Sequence, residues 1–374
     1  MEQGDPVKFL IPTEPDDAHA ILVKLALETM EHDVTLMFTA DQPTSLKNSI
    51  YVDADRYRWR SEDQYHAIVE NDYDVVWWRR ARKPYIPEEY VHPDDYRFVT
   101  RENVLFYESF THTFASHAWW VNSKEAANRA NFKLLQLKIA QECGMKVPMT
   151  LCSNDPKEIR YFLLNYEHEG VIYKPLCSNF WFEKDCVKIA YTARLGFVDL
   201  PTNQSLQRTP GIFQKEVKKK YELRITCFGR HIVAAKLDSQ VHADGQVDWR
   251  AIREGTLAIE PYELPQVLQE QIRAFMYRIG IVFGTFDFIV TPDDEYIFLE
   301  VNEQGQFLWI EEYNPVFPML DLFVQFLTNQ GVDSSLEGKQ REHRITQYWN
   351  QVEPIFTANR QRHVDLNRAP SHLN

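Results

Sequence analysis

Residues 284–310 read GTFDFIVTPDDEYIFLEVNEQGQFLWI, and the rest of the chain can be organised around them. Two β-rich runs, 286–290 and 296–301, flank the turn-forming cluster Pro292, Asp293 and Asp294, which predicts a hairpin. Side chains alternate across a strand. Ile297, Leu299 and Val301 are therefore expected on one face, and Phe298, Glu300 and Asn302 on the other. With Asp293 and Asp294 as a two-residue loop, Asp287 falls directly opposite Glu300. Carboxylates so placed have Cβ atoms about 5 Å apart and repel. A divalent cation between them removes the conflict, and Asn302 adds a neutral oxygen on the same side. Hard oxygen donors of this kind suit Mg²⁺, which takes one or two carboxylates plus substrate phosphates. The competing reading is a surface hairpin with solvated acids. The apolar flanks argue against it, because both strands need at least one buried face.

The same residues carry a family resemblance. Asp287, a short hairpin, then Glu300-Val301-Asn302 resembles the metal-binding end of ATP-grasp ligases. The continuation through Gly305, Gln306, Trp309, Ile310 and Glu311 resembles the Gly-Gln-x-x-Trp-apolar-Glu signature of graspetide (microviridin- and plesiocin-type) maturases, which cyclise ribosomal peptides.

Composition sets the outer bounds. With 374 residues, 44% of them hydrophobic, the chain can bury a large core in two or three subdomains. It contains no run of about 18 uncharged apolar residues, so no membrane span is expected. The start, MEQGDPVKFLIP, has no basic region leading into an apolar one, so no secretory signal is expected. The five cysteines (143, 152, 177, 186 and 227) form no Cys-x-x-Cys pair, which fits a reduced, cytoplasmic protein without structural zinc. A net charge of −13 argues against a general nucleic-acid binder. Two basic clusters stand out locally: Arg79, Arg80, Arg82 and Lys83, and Lys218, Lys219 and Lys220. Each is either a solvated face or a grip for a phosphate or an acidic peptide.

Strand 7–12, helix 16–31 and strand 34–38 suggest an opening α/β unit. Strand 74–78 empties into Arg79 and Arg80. In open α/β sheets, ligands gather beyond the carboxyl ends of the strands, so both arginines are candidate peptide contacts. The alternative is that they cap a strand end in water. Asn122 and Glu125 predict the start of a helix with Phe132, Leu135, Ile139 and Cys143 inward and Gly144 as its stop. Lys174 lies in an apolar strand, where an ammonium needs an anionic partner. Strand 212–217 precedes strand 221–227, which places Glu222 and Arg224 on one face. Helix 264–280 leads into the hairpin, and a last helix runs from Asn314 to about Thr328. Beyond Gly331 the sequence turns polar, with a weak helical pattern at Ile345, Trp349 and Val352.

The resemblance implies an α/β protein with the ATP-grasp fold. It places a preceding α/β domain at 1–120, a first lobe with its lid at 121–211, a second lobe with hinge and metal hairpin at 212–330, and a partly ordered tail at 331–374. By the same match, Lys133 and Lys174 contact nucleotide phosphates, and Gln214, Lys215, Glu216 and Val217 form the adenine-reading hinge. Glu222 takes the ribose, Arg224 the transferring phosphoryl group, and Asp287, Glu300 and Asn302 the Mg²⁺. The usual glycine-rich lid is replaced by the glycine-free run 177–185, CSNFWFEKD. The implied activity is ATP-dependent ester or amide formation in a precursor peptide with a leader and an acidic core, carried out by a homodimer. A glutathione-synthetase-like ligase of small carboxylates and a non-catalytic nucleotide-binding regulator are the alternatives.

Overall fold

The computed structural model describes residues 6–64, 67–69, 73–176, 180–183, 186–189, 192–242, 249, 252, 257–333, 336 and 342–366. β1 (Lys8–Pro12) leads into α1 (Ala18–Thr29), and β2 (Asp33–Met37) returns parallel to β1. Asp17 caps α1, its carboxylate accepting from the His19 and Ala20 amides. An antiparallel sheet of β3 (Lys47–Val52), β4 (Tyr57–Glu62) and β5 (Ala67–Val69) follows, with no counterpart in the sequence reading. β6 (Val75–Trp77), α2 (Tyr96–Thr111) and β7 (Trp119–Val121) then complete a parallel sheet in the order β2-β1-β6-β7.

The next segment departs from expectation. It is two helices, α3 (Lys124–Ala130) and α4 (Lys133–Glu142), and Phe132 is exposed at the break between them. Ser123, not Asn122, is the N-cap, accepting from the Ala126 amide at 3.2 Å. Asn122 is buried and ties distant backbone together. Its Nδ2 donates to the Phe283 and Glu303 carbonyls at 2.8 and 3.0 Å, and its Oδ1 accepts from the Val282 and Phe283 amides at 2.7 and 3.0 Å. A primary amide carries both donors and acceptor, so one side chain satisfies all these groups.

β8 (Thr150–Ser153), α5 (Pro156–Tyr166) and β9 (Val171–Lys174) precede the hairpin β10 (Phe180–Glu183) and β11 (Cys186–Ile189). The rest of the expected lid, 177–179 and 184–185, lies outside the described residues. β12 (Ala193–Arg194), α6 (Asn203–Arg208) and β13 (Gly211–Lys215) complete an antiparallel sheet in the order β12-β9-β13-β8. A second antiparallel sheet, β16-β15-β14-β17-β18, is built from β14 (Tyr221–Phe228), β15 (His231–Leu237), β16 (Ile259–Pro261), β17 (Phe283–Val290) and β18 (Tyr296–Asn302). α7 (Gln266–Ile279) precedes β17 and stops at Gly280, whose φ of 94° is left-handed. Leu268, Ile272 and Phe275 of α7 pack with Phe286, Phe288 and Phe298 in one core.

The hairpin is formed, with a different loop. The Thr291 amide donates to the Glu295 carbonyl, and Asp294 takes a left-handed φ of 60°, so Pro292, Asp293 and Asp294 make a three-residue loop. That loop alone would displace the expected register by one residue. A bulge at Leu299 restores it: Phe288 faces Phe298, yet Asp287 faces Glu300. The bulge also moves Phe298 off the Glu300 face and into the core with Val301, correcting the simple alternation expected for this strand.

α8 (Trp309–Tyr313), α9 (Met319–Asn329) and α10 (Ile345–Arg362) finish the chain. Residues 314–318 are loop, so the helix expected from Asn314 starts later. Phe323 of α9 joins the two main sheets, with ring centroids 4.6 Å from Trp77 and 4.8 Å from Phe283. The polar tail forms α10, which packs on α1 and buries Ile345, Tyr348 and Val352 in the same core. Its end is fixed by Arg360 to Asp16 at 3.0 Å and His363 to Asp41 at 2.6 Å. Among the described residues no helix is long and apolar enough to cross a membrane.

Glu311 explains how the signature after the hairpin shapes the fold. Its buried carboxylate accepts from the Leu320 amide at the start of α9 and the Ile345 amide at the start of α10, each at 3.0 Å. Burial pushes its pKa up, against the pull of these amides. Glu311→Ala strands both donors and is expected to cost about 2–4 kcal/mol in urea unfolding, at 1–3 kcal/mol per unsatisfied group allowing for relaxation. A loss well under 1 kcal/mol would contradict this double-cap role.

Candidate active site

One face of the five-stranded sheet carries a row of charge. Arg224 on β14 faces Asp287 on β17, and Asp287 faces Glu300 on β18. At the start of α4, the Lys133 Nζ lies 3.2 Å from the Glu300 carboxylate. The two carboxylates are thus bracketed by cations, and the repulsion inferred from sequence is already neutralised by protein side chains. Arg224 Nη1 donates to both Asp287 oxygens at 2.7 and 2.6 Å, while Nη2 donates to the Gln306 carbonyl at 3.0 Å. The same carbonyl accepts from Trp309 Nε1 at 2.9 Å. Arg224 Nε is buried with no partner among the described residues.

β18 is an edge strand, and Gln136 of α4 closes it. Its Oε1 accepts from the Val301 amide at 2.8 Å and its Nε2 donates to the Val301 carbonyl at 3.0 Å, as a neighbouring strand would. Glu300 and Asn302 are thereby held on either side of a fixed residue. The residues fit a hard cation. Asp287 and Glu300 keep 21% and 31% of their side chains accessible, and their partners sit on flexible stems. Asn302 is the weaker member, since its Oδ1 already accepts from the Gln304 and Gly305 amides at 3.1 and 3.2 Å. Among the described residues no three or more His, Cys, Asp or Glu groups form a metal site. A Mg²⁺ here would take part of its shell from phosphates.

The remaining candidates are more dispersed. Lys174 ends β9 in the other sheet, half-buried and opposite Ile212. Gln214 is buried and donates to Thr150 Oγ1 at 2.9 Å. The Lys215 and Glu216 amides are committed to the Met149 and Gly170 carbonyls, each at 2.9 Å, and the Glu216 carboxylate holds Arg194 at 2.8 and 2.7 Å. Among the described residues the Val217 amide has no such backbone partner. Glu222 is buried, and burial raises its pKa against the pull of Lys219. Its Oε1 accepts from Lys219 Nζ at 3.0 Å and Ser239 Oγ at 2.8 Å. Lys220 pairs with Asp294 at 2.7 Å and Lys218 is exposed, so the three lysines do not form one basic patch.

The arginines after β6 need the largest correction. Arg79 is fully buried and is no surface grip for a peptide. Its Nε and Nη2 donate to Asp17 at 2.9 and 3.3 Å, and its Nη1 donates to the Gln304 carbonyl and to the Gly305 carbonyl at 3.1 Å. Arg80 is three-quarters covered and pairs with Glu14 at 3.4 Å and Asp17 at 3.9 Å. Burial opposes ionisation of Asp17, yet Arg79, Arg80 and His19 hold its carboxyl well below the usual range. His19, which the sequence did not single out, lies half-buried beside them. Its Nε2 accepts from the Phe307 and Leu308 amides, both at 3.2 Å.

Two consequences are measurable. Asp287→Asn removes the counter-charge of Arg224 rather than relieving strain, so the protein without ligand is expected to lose about 1–3 kcal/mol in denaturant unfolding. An unchanged or raised stability would restore the repulsion argument. Burial, then the Arg79 charge, lower the His19 pKa from 6.5 to about 3. A depressed pKa gives stability that is complete above pH 6.5 and falls as the unfolded chain takes up the proton. Relative to His19→Gln, the wild type is expected to lose up to roughly one kcal/mol per pH unit between pH 6.5 and 3. Parallel pH–stability curves would contradict a neutral imidazole at this position.

No protein-family model or curated protein sequence matches the chain. Solved structures do. The macrocyclase MdnC bound with precursor peptide MdnA, from Microcystis aeruginosa MRC, aligns with a TM-score of 0.76 at 28% identity, over 87% of this chain and 100% of that one. A RiPP-associated ATP-grasp ligase from Chryseobacterium gregarium, in complex with ADP and a leader and core peptide, aligns at 0.76 with 26% identity over 90% and 99%. The macrocyclase MdnB from Microcystis aeruginosa MRC aligns at 0.71 with 25% identity over 86% and 99%. The chain thus has the fold of ATP-grasp ligases and is similar to precursor-peptide macrocyclases of the graspetide type.

Proposed function

We propose that this protein closes rings within a ribosomal precursor peptide, joining Asp or Glu side chains to Thr or Ser hydroxyls, or to a Lys amine, at the expense of ATP. The observation that carries the reading is the row Lys133, Glu300, Asp287 and Arg224, which brings cations and carboxylates of four separate elements to one surface. A peptide carboxylate oxygen attacks the γ-phosphorus of ATP, and ADP leaves. The hydroxyl or amine then attacks the acyl carbon, loses its proton, and releases inorganic phosphate. Arg224 and the two lysines, Lys133 and Lys174, stabilise charge on the phosphoryl oxygens, so the protein acts by positioning and electrostatics. Mg²⁺ held by Asp287, Glu300 and Asn302 would supply Lewis-acid stabilisation of the phosphate oxygens. Glu222 is assigned to the ribose and the strand end at Gln214–Val217 to the adenine.

An acidic core peptide suits the exposed cationic groups that remain, Lys218 above all, whereas Arg79 is excluded by burial. By family resemblance the working unit is a homodimer. With ATP, Mg²⁺ and a cognate precursor, the peptide is expected to lose one water per ring while ADP and phosphate accumulate. Ester and amide rings are told apart by mild alkaline hydrolysis, which opens only the ester. ADP formation that depends on a free amino acid and ignores every peptide would move the reading to a small-carboxylate ligase.

A further inference from the structure

The loop after the hairpin is gripped at nearly every backbone group. Arg79 takes the carbonyls of Gln304 and Gly305, and His19 takes the amides of Phe307 and Leu308. Between them lies the Gln306 carbonyl, which points the other way, to Arg224 Nη2 and Trp309 Nε1. Gly305 has a φ of 56°, and a Cβ there would meet the Phe283 ring at 2.5 Å, so the loop has little room to take another course. Arg79 and His19 belong to the parallel sheet and its first helix, while Arg224 belongs to the antiparallel sheet. Arg79 is itself fixed by Asp17, the cap of α1.

We infer that Arg79 and His19 are positioning residues: they set the Gln304–Leu308 backbone so that the Gln306 carbonyl fixes Arg224. What Arg224 then does rests on the function proposed above; how it is held does not. A guanidinium tied by Asp287 on one side alone could rotate about that contact. A second acceptor on Nη2 fixes its plane. A lysine at 79 keeps a charge but lacks the fork that reaches Asp17 and two carbonyls together. Glutamine at 19 keeps an acceptor for the amides, whereas leucine does not.

The test uses the full chain labelled with ¹⁵N-arginine, the Arg224 side-chain signals being assigned from Arg224→Lys. In the wild type, rotation of the Arg224 guanidinium should be slow. In Arg79→Lys and His19→Leu it should accelerate at least tenfold, with His19→Gln close to wild type. Turnover gives a second readout. Arg79→Lys and His19→Leu should each lower kcat about 10- to 100-fold, with KM for ATP within about threefold. In an Arg224→Lys background the same changes should have less than a threefold further effect. Slow Arg224 rotation in every folded variant, or effects on kcat that multiply in the double variants, would overturn the inference. Should Arg79→Lys fail to fold, the His19→Leu and His19→Gln pair decides it. Absence of turnover in the wild type with intact coupling in the spectra would instead count against the proposed function.

Discussion

The ion pair of Arg224 with Asp287 is the contact on which the rest of the site depends. Arg224 is 7% exposed, and a guanidinium so covered needs a counter-charge nearby. Asp287 supplies it from the adjacent strand, beside Glu300. Lys133 does the same for Glu300 from α4. The site therefore brings two carboxylates close together between an arginine and a lysine. Asp287, Glu300 and Asn302 would hold a Mg²⁺ here, and it would supply Lewis-acid stabilisation of phosphate oxygens.

That arrangement is reached from several directions. β14 and β17 fix Arg224 and Asp287, the bulge in β18 fixes Glu300, and Gln136 closes the open edge of that strand. The N-terminal parallel sheet and its first helix contribute Arg79, held by Asp17, and His19, which together grip the loop after β18. Phe323 packs the same two bodies together with apolar surface. Glu311 extends the continuity to α10, so the signature 305–311 serves both the site and the docking of the C-terminal helix.

Much of this was legible from residue patterns. The hairpin, the pairing of Asp287 with Glu300, the shared face of Glu222 and Arg224, and the stop at Gly280 follow from strand alternation and turn chemistry. The Asp287–Glu300 pairing was reached by a route the structure corrects, because the longer loop and the bulge at Leu299 cancel at that point. Neither is encoded in alternation. Arg79 was misread because its partners, Asp17 and the carbonyls of 304 and 305, are far away in sequence, and an arginine's burial depends on such partners. His19 gave no signal, since a lone histidine early in a helix has many uses. Asn122 resembled a cap because a cap and a backbone tie use the same amide. The helix in the tail was faint in sequence because few of its residues are fully buried, Ile345, Tyr348 and Val352, with Ile355 and Phe356 only partly covered.

The central claim is that the peptide carboxylate is activated as an acyl phosphate, and oxygen transfer tests it most directly. A precursor peptide whose Asp and Glu side chains carry ¹⁸O is incubated with the enzyme, Mg²⁺ and unlabelled ATP. The account expects one ¹⁸O per ring in the released inorganic phosphate, because the carboxylate oxygen that attacks phosphorus leaves with it. Label appearing in AMP, or unlabelled phosphate released alongside ring formation, would contradict it.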